Sequence, residues 1–456
     1  MEKRNPQLRN IKRILVANRG EIAVRAIRAI RELGGESIAI YSEGDKNSIH
    51  KDLADFSICV GGANPKESYL NIPSILSAVE VSLADAVYPG YGFLAENPTF
   101  AALCERSNIT FVGPSSKTLE IVGDKAKARE AAIRANVPVI PGSPPVKDLD
   151  DAIQNARKIG YPLLIKASAG GGGRGMRIVN NERELIKLLP IAEREAEGNF
   201  GDPTVYLEKY IKNPKHIEIQ ILADKYGNII HLGERECSIQ RRHQKIIEEA
   251  PSPFLTDDIR EEMGKAAVRF AKEVDFVGAG TVEFIVDENK NFYFIEMNGR
   301  IQVEHPITEI ITGIDIVSWQ LRIADGQPLT IKQEDIKQKF HAIEFRINAE
   351  DPENFVPNIG KIKRVYIPGG FGVRVDTHIY CGYEIPPYYD SLLAKLIVYG
   401  ENREEAIIRG KRALKEFIVE GVKTLRDFHL KILEDEEFLN GSYTTNLVDK
   451  NYLRET

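Results

Sequence analysis

Short apolar runs alternate with amphipathic helical segments over the first 112 residues of this chain. Between the runs, apolar residues recur at helical spacing, most clearly from Glu21 to Leu33. The strand-like runs are 12–17, 37–41, 56–60, 84–88 and 109–112. Strands that alternate with helices favour a parallel sheet, because a parallel connection needs a crossover segment that a helix can fill. The sequence therefore predicts an α/β domain over residues 1–121.

Two changes of pattern divide the rest of the chain. Residues 122–337 mix helices and strands around a glycine run, and the part from about 139 to 211 predicts a compact α+β lid. From 338 to 446 strands dominate and two helices follow them, with 447–456 as a tail. We therefore expect a chain of α/β and α+β class, with a parallel-sheet domain, a central domain that carries the lid, and a mainly β domain.

Composition restricts the class of protein and its partners. The chain has 456 residues, 43% apolar and 28% charged, with a net charge of −6, which favours a folded protein without a nucleic-acid surface. No apolar run approaches the roughly 20 residues of a membrane span, and the first ten residues lack the apolar stretch of a signal peptide. The four cysteines stand singly, which indicates neither a disulfide framework nor a zinc site. We expect a cytoplasmic protein.

A glycine-rich segment, SAGGGGRGM, runs from Ser168 to Met176 between two predicted strands. Glycines let backbone N–H groups turn toward phosphate oxygens without a Cβ in the way, and Lys166 adds a positive charge just before them. No GK[ST] follows, so the segment is not a Walker loop. A flexible turn is the alternative, but consecutive glycines are entropically costly in a structural turn. The run predicts a mobile phosphate-binding loop at Gly170–Gly173.

The segment from Thr281 to Pro306 places two apolar runs around a polar turn, which predicts a β-hairpin. If Asn289 and Lys290 form the centre of the turn, Glu283 lies opposite Glu296. Directly opposed carboxylates repel each other, and a divalent cation would remove that penalty. Mg²⁺ favours one or two carboxylates together with substrate phosphates. The hairpin therefore predicts a magnesium site.

The second hairpin strand then alternates, with polar residues at every second position. A period of two puts all of these polar residues on one face. They are Glu296, Asn298, Arg300, Gln302 and Glu304. A solvated sheet face is the alternative, but it would favour mixtures of Lys and Thr. The order acid, amide, arginine, amide, acid favours a catalytic face.

Three further segments give weaker signals. The basic segment QRRHQK, with His243 and Lys245, is by itself typical of a solvated loop, but beside a phosphate site it can contact anions. The turn YPGYGF, which includes Tyr91, can line a ligand, although a structural role is the simpler interpretation. Arg346 alternates with apolar residues on a predicted strand, where it either pairs with an acid or faces an anion.

Taken together, these segments resemble biotin carboxylase, an ATP-grasp family of the biotin-dependent carboxylases. The resemblance extends from ILVANRGEIAVR to about residue 446, and Gly299 departs from it because relatives carry a larger residue there. The segments that carry it are YPGYGFLAEN, GDK, KASAGGGGRGM, EKYIKNPKHIEIQ, QRRHQK, EMNGRIQVEHP and FRINAEDP. A chance match of all of them in order is not credible.

The resemblance implies an ATP-grasp core, ATP as substrate, Mg²⁺ or Mn²⁺ as metal, and specific site residues. The implied metal ligands are Glu283, Glu296 and Asn298. Bicarbonate is implied at Lys245, Arg300, Gln302 and the backbone of Val303. Glu304 is implied as the base, with Lys245, Arg300 and Arg346 as further catalytic groups, and biotin is implied at Arg346 and Tyr91. The implied nucleotide contacts are Lys125, Lys166, Gly172, Gly173, Glu208, Lys209, His216, Gln240, His243, Glu283 and Glu296.

The implied reaction is the ATP-dependent carboxylation of biotin by bicarbonate through carboxyphosphate. The implied partners are a biotin carboxyl carrier protein or domain, a second copy of the chain, and a carboxyltransferase subunit. None of the four methionines is followed by Lys and a second Met, so we expect no biotin attachment to this chain. The chain also ends at residue 456, without room for a carrier domain.

Two other functions stay open on the residues alone. An ATP-grasp ligase that joins an acyl phosphate to an amine would share the glycine loop and the acid pair. A nucleotide-binding regulatory protein would need the pocket but no base, against which Arg300 and Glu304 argue. The final acceptor of the carboxyl group, whether acetyl-CoA, pyruvate or another oxo acid, is not encoded in this chain.

Overall fold

The computed structural model describes residues 7–167, 176–200 and 202–453. These residues form two compact units. The first comprises Met1–Val137, Lys215–Phe284 and Glu296–Thr456, and the second comprises Pro138–Pro214 and Ile285–Ile295. No helix within the described ranges is long and apolar enough to cross a membrane.

The first unit begins with a parallel sheet, as the sequence predicts. Its strands are β1 (Arg13–Val16), β2 (Glu36–Tyr41), β3 (Phe56–Cys59), β4 (Ala86–Tyr88) and β5 (Thr110–Phe111), in the order β3–β2–β1–β4–β5. The helices of this segment are α1 (Gly20–Glu32), α2 (Ile49–Leu53), α3 (Ile72–Ser82), α4 (Pro98–Arg106), α5 (Ser116–Val122) and α6 (Lys125–Arg134). Helix α1 buries the apolar face that its spacing predicts, including Ile22, Ile27 and Ile30.

The second unit contains the range of about 139–211 for which the sequence predicts an α+β lid, and it also includes Ile285–Ile295. Its helices are α7 (Leu149–Ile159) and α8 (Glu182–Phe200), and its strands are β6 (Leu163–Ala167), β7 (Arg177–Val179) and β8 (Val205–Lys209). The strands pair antiparallel in the order β7–β6–β8. Leu163, Ile165 and Leu207 from the sheet pack with Leu185 and Leu189 from α8 to form a separate apolar core. The predicted glycine loop, with Gly172 and Gly173, lies outside the described residues.

A large sheet carries most of the remaining strands. In chain order the strands are β9 (Lys215–Ala223), β10 (Ile229–Arg241), β11 (Gln244–Ala250), β12 (Gly278–Val286), β13 (Phe292–Asn298), β14 (His341–Asn348), β15 (Arg364–Tyr366), β16 (Val373–Thr377), β17 (Leu392–Gly400) and β18 (Ile418–Glu420). Eight of them form one sheet in the order β13–β12–β9–β10–β11–β14–β17–β16, and β15 pairs with β18. Strands from both sides of residue 338 thus share one sheet.

Seven helices complete the described part of the first unit. They are α9 (Asp257–Glu273), α10 (His305–Thr312), α11 (Ile316–Ala324), α12 (Arg403–Glu416), α13 (Arg426–Ile432), α14 (Glu436–Leu439) and α15 (Leu447–Asn451). Helices α12 to α15 cover one face of the large sheet and form an apolar core with it. Helix α15 contributes Leu447 and Val448 to this core. Helix α10 begins directly after Glu304, which places this carboxylate at a helix N-terminus.

Candidate active site

Strand β13 is shorter than the alternation of polar residues predicts. It ends at Asn298, and the chain passes through Gly299–Val303 into α10, so Gln302 and Glu304 do not lie on a strand. The prediction of one continuous strand face was wrong. The polar side chains nevertheless converge, because the turn brings Gln302 Nε2 to 2.6 Å from Glu283 Oε1.

The predicted hairpin is present, but Asp287 and Asn291 close its turn, so the turn is centred on Asn289 and not between Asn289 and Lys290 as the sequence predicts. The Asp287 N–H donates to the carbonyl of Asn291 across 2.9 Å. Near the base of the hairpin, Asn298 Nδ2 donates to Glu283 Oε1 across 2.8 Å. Burial and the charge of Glu283 raise the pKa of Glu296, so the two carboxylates are close enough to repel. This is the electrostatic situation from which the sequence predicts a cation.

The basic segment QRRHQK forms a hairpin turn and not the solvated loop that its composition favours. Strand β10 runs to Arg241, and β11 starts at Gln244. Arg242 and His243 form the turn with positive φ angles of 46° and 67°. His243 is exposed, whereas Gln240 and Lys245 pair across the two strands. The hairpin therefore delivers Lys245 to the interior.

Lys245 is the centre of an acidic cluster. Its Nζ lies 2.5 Å from Glu218 Oε2, 3.1 Å from Glu283 Oε1 and 2.7 Å from Glu304 Oε1. Burial would lower the pKa of this lysine, but the three carboxylates together raise it well above its ordinary value. Lys245 is therefore a permanent cation that holds three acids around one small volume.

Glu304 is a buried carboxylate held between two cations. Arg346 Nη2 lies 3.0 Å from Glu304 Oε2, on the opposite oxygen from Lys245. Burial would raise the pKa of Glu304, but Lys245, Arg346 and Arg235 hold it well below its ordinary range. Glu304 is thus ionised at neutral pH, with Lys245 on one carboxylate oxygen and Arg346 on the other.

Arg346 is paired with acids, which is one of the two alternatives that its sequence context leaves open. Its Nε donates to Glu248 Oε1 across 2.6 Å, in addition to the Glu304 contact. Its strand neighbour across β17 is Lys395. The guanidinium is about five-sixths buried and keeps a face toward the cluster.

His216 connects Gln240 to Glu283 through two hydrogen bonds. Gln240 Nε2 lies 2.7 Å from His216 Nδ1, and His216 Nε2 lies 2.7 Å from Glu283 Oε2. The amide N–H can only donate, so the neutral ring carries its proton on Nε2 and donates to Glu283. Burial would raise the pKa of Glu283, but Lys245 and His216 hold it low.

Arg300 lies at the rim of the same cluster. Its Nη2 donates to Asn298 Oδ1 across 2.9 Å, and its Nε donates to Glu96 Oε2 across 2.7 Å. Glu96 was not predicted from the sequence. Its position three residues after the YPGYGF turn, in FLAEN, was the available signal, since that turn already stood out as a possible ligand contact.

Arg235 is a second residue that sequence reasoning missed. It is fully buried on β10, and its guanidinium N–H donors reach five acceptors. The acceptors belong to Glu218, Gln220, Thr281, Gln302 and Thr308. The contact with Gln302 Oε1, at 2.6 Å, leaves the Gln302 amide N–H free to face Glu283. Arg235 lies within a polar stretch of the sequence, so no local pattern predicted that its side chain would be buried.

Tyr91 lies beside a cavity of about 340 Å³ in the first unit, which Glu21, Phe93 and His378 also line. Its hydroxyl donates to Glu21 Oε1. Lys395 Nζ lies 3.1 Å from the same oxygen. The YPGYGF turn, for which a structural role was the simpler interpretation, therefore also borders a cavity.

The remaining sequence-predicted residues occupy more open positions. Lys125 is exposed at the first position of α6, and its charge acts on Glu296. Within the second unit, Lys166 Nζ lies 2.5 Å from Glu208 Oε1, and Lys209 Nζ donates to the carbonyls of Gly160 and Tyr161 at 2.9 Å.

Comparison with known proteins decides the family. Residues 10–119 match the family described as biotin carboxylase, N-terminal domain, and residues 344–450 match the biotin carboxylase C-terminal domain. Residues 124–332 match the carbamoyl-phosphate synthase L chain, ATP binding domain. The chain belongs to the biotin carboxylase family.

Individual relatives agree over nearly the whole length. Biotin carboxylase 1 of Bacillus subtilis is 55% identical over 442 residues, covering 96% of this chain and 98% of its own. The 2-oxoglutarate carboxylase small subunit of Hydrogenobacter thermophilus is 54% identical over 442 residues, covering 96% and 93%. The biotin carboxylase domain dimer of Hydrogenobacter thermophilus 2-oxoglutarate carboxylase, in complex with MgADP, ADP and bicarbonate, has a TM-score of 0.88 and 52% identity, covering 98% and 100%.

Proposed function

We propose that this chain is an ATP-dependent ligase that carboxylates biotin on a separate carrier, with bicarbonate as the carbon source. The observation that carries the proposal is the arrangement of Glu304, ionised and buried, between Lys245 and Arg346 and next to the Glu283 cluster. Bicarbonate is a poor nucleophile, so a nearby carboxylate must accept its proton. Glu304 is that base.

In this account Arg300, Gln302, Lys245 and the Val303 N–H bind bicarbonate. Arg300 offers a planar fork that matches two oxygens of the anion. The deprotonated bicarbonate attacks the γ-phosphate of ATP, which gives carboxyphosphate and ADP. Lys245 stabilises the charge that develops at the phosphate, because a preorganised cation in a buried site acts strongly.

The donor set fits a magnesium ion. Glu283 and Glu296 are mutually repelling carboxylates, and Asn298 is an amide beside them. Oxygen ligands of this kind, completed by substrate phosphates, are those that Mg²⁺ or Mn²⁺ takes. When bound, the metal supplies charge neutralisation at the phosphates.

The biotin step would use Arg346 and Tyr91. Carboxyphosphate breaks to CO₂ and phosphate, and phosphate takes the proton of the ureido nitrogen. Arg346 stabilises the enolate-like ureido oxygen while the nitrogen adds to CO₂, which gives carboxybiotin. This requires Arg346 to loosen from Glu304 while Glu248 keeps hold of its Nε, which the two separate contacts allow.

The nucleotide contacts that the resemblance implies are proposed for each unit by itself. In the first unit they are Lys125, His216, Gln240, His243, Glu283 and Glu296. In the second they are Lys166, Glu208 and Lys209, while Gly172 and Gly173 lie outside the described residues. Of these proposed contacts, that of His243 has the least structural support, because its side chain is exposed.

We also infer three partners: a biotin carboxyl carrier protein or domain, a second copy of the chain, and a carboxyltransferase subunit. The biotin carboxylase domain of Hydrogenobacter thermophilus 2-oxoglutarate carboxylase is a dimer in its solved structure, and the relative from that organism is named as a small subunit. The four cysteines are free, which supports the expected cytoplasmic location. A docked carrier must arrive and leave, so its contact should be small.

Phosphate release tests this function. The chain should cleave ATP only when bicarbonate is present, and biotin should raise the rate further. A biotinylated carrier should be carboxylated far faster than free biotin, and avidin should not recognise the chain itself. An amine-joining ligase would show no biotin dependence, and a regulatory protein would show no steady turnover. Covalent biotin by intact mass, or equal rates on carrier and free biotin, would contradict the separate-carrier proposal.

A further inference from the structure

Two consecutive backbone carbonyls before α10 are each held by a fully buried basic side chain. His305 Nδ1 lies 2.8 Å from the carbonyl oxygen of Gln302. Lys395 Nζ, which reaches in from β17, lies 3.0 Å from the carbonyl oxygen of Val303. Both side chains have 0% exposure. A carbonyl only accepts, so each contact requires an N–H on the side chain.

The His305 N–H also donates to the Gln302 carbonyl across 3.3 Å. Together with this turn, the two side-chain contacts determine where the neighbouring amides point. In a trans peptide the N–H is directed opposite to the C=O of the same plane. The contact on the Gln302 carbonyl therefore directs the Val303 N–H away from the His305 ring. The contact on the Val303 carbonyl likewise directs the Glu304 N–H away from the Lys395 ammonium. Within the described residues neither N–H has a hydrogen-bond acceptor.

We propose that His305 and Lys395 are positioning residues that fix the Gln302–Glu304 segment so that the Val303 N–H faces bicarbonate. This rests on the proposed function, in which Val303 binds the anion and Glu304 deprotonates it. The contribution of the two side chains is geometric, since neither reaches the substrate. They keep the amide donor and the base in a single arrangement before the substrate arrives.

The surroundings of both side chains fit this role. The charged groups that act on His305 are Lys395, Arg25 and Arg374; together with burial they lower its pKa well below the ordinary value. The ring is therefore neutral and, given the carbonyl contact, carries its proton on Nδ1. Its Nε2 has no partner among the described residues. The charge of Lys395 is balanced by Glu21 at 3.1 Å and Asp376 at 3.9 Å.

The first test compares His305→Leu, which removes the donor, with His305→Asn, whose amide can replace the Nδ1–H. Loss of one such hydrogen bond should raise the KM for bicarbonate by roughly tenfold in the Leu variant. The KM for ATP should change by less than about twofold, because the nucleotide contacts are untouched. The Asn variant should recover most of the bicarbonate affinity.

His50→Leu is the matched control. His50 is also fully buried, and its Nε2 lies 3.0 Å from a backbone carbonyl, that of Ile40 in the parallel sheet. This variant should lose stability comparably and keep the parent KM for bicarbonate. A folded His305→Leu protein with the parent KM for bicarbonate, or equal shifts in both KM values, would overturn the positioning role. A parent protein without bicarbonate-dependent turnover would instead refute the proposed function.

A second measurement uses the unaltered protein and does not depend on whether the Leu variant folds. With ¹⁵N-labelled histidine, the His305 ring should show the neutral Nδ1–H tautomer throughout roughly pH 6 to 8, unlike a solvent-exposed histidine. The signal is assigned by its absence from the His305→Asn spectrum among the eight histidines of the chain. An Nε2–H ring, or a ring that becomes charged in this range, would overturn the proposal.

Discussion

Glu248 on β11 pairs directly opposite Glu344 on β14, and both side chains are fully buried. Glu248 Oε1 accepts from Arg346, whereas Glu248 Oε2 and both oxygens of Glu344 have no hydrogen-bond partner within the described chain. Two opposed buried carboxylates cannot both ionise at low cost. Burial raises the pKa of Glu248 to about 7 and raises that of Glu344 well above its ordinary value. Glu344 is therefore a neutral acid that leaves Glu248 to orient Arg346.

The pH dependence of stability should reveal this neutral acid. A carboxyl whose folded pKa is raised binds more protons in the folded state, so its contribution to stability is lost as pH rises from about 4.5 toward the folded pKa. The loss is at most about 1.4 kcal/mol per pH unit for one proton. Glu344→Gln should show a flatter dependence of urea unfolding midpoint on pH above 4.5 than the parent. Equal slopes for the two proteins would contradict the assignment.

Replacing Lys245 by Met should move the acid limb of the pH–rate profile. Lys245 helps to lower the pKa of Glu304, so its removal lets that pKa rise and protonates the base at higher pH. Because Lys245 also stabilises the charge that develops at the phosphate, we expect bicarbonate-dependent ATP cleavage to fall by roughly 10²–10³-fold at neutral pH. Lys265→Met is the control, since this exposed lysine pairs with Glu261 on α9. An acid limb in the parent position would refute the electrostatic link.

Glu283→Gln and Glu296→Gln should each raise the magnesium concentration needed for half-maximal turnover. Each substitution removes one carboxylate from a site that takes one or two of them, so we expect an increase of roughly tenfold or more. Glu261→Gln, at an exposed position on α9, serves as the control. Magnesium titrations of phosphate release give the result. Unchanged metal dependence in both variants would remove this pair from the metal site.

Gly299→Thr should weaken the fold without changing the chemistry. A Cβ at this position would lie 2.9 Å from Leu119 Cδ2 and 3.3 Å from Pro114 Cγ, so the apolar neighbours would have to shift. Overpacking of this kind costs about 1–3 kcal/mol. The KM for bicarbonate should stay at the parent value while thermal unfolding moves down. Gly369→Ala, where nothing lies within 4 Å, should change neither, and a Thr variant as stable as the parent would contradict the packing argument.

The periodicity of the chain was sufficient to predict the parallel sheet, the mixed helices and strands of residues 139–211 and the hairpin at Asp287–Asn291. Lys245 was different, because its basic segment by itself favoured a solvated loop and only the family resemblance implied a site role for it. The error at Gln302 and Glu304 has a physical cause. A period of two continues equally well through an extended connection, and only the packing of α10 ends the strand at Asn298.

Long-range partners account for what the sequence did not reveal. Arg235 meets Glu218, Thr281, Gln302 and Thr308 across as many as 73 positions of sequence. Lys395 reaches Val303 from 92 positions away. These contacts depend on the order of strands in the large sheet, and no local pattern encodes that order. Family resemblance named substrate contacts but not the buried residues that hold them.

The most direct test of the account is bicarbonate-dependent phosphate release by Glu304→Gln. This substitution removes the base and leaves a side chain of the same shape, so ATP should still bind while phosphate release falls by roughly 10²–10⁴-fold. Glu309→Gln is the control, because this carboxylate is also buried on α10 but pairs with Arg25 and Arg374; it should retain turnover. The account predicts near-complete loss in Glu304→Gln alone. Turnover at the parent rate in that variant would show that another residue deprotonates bicarbonate.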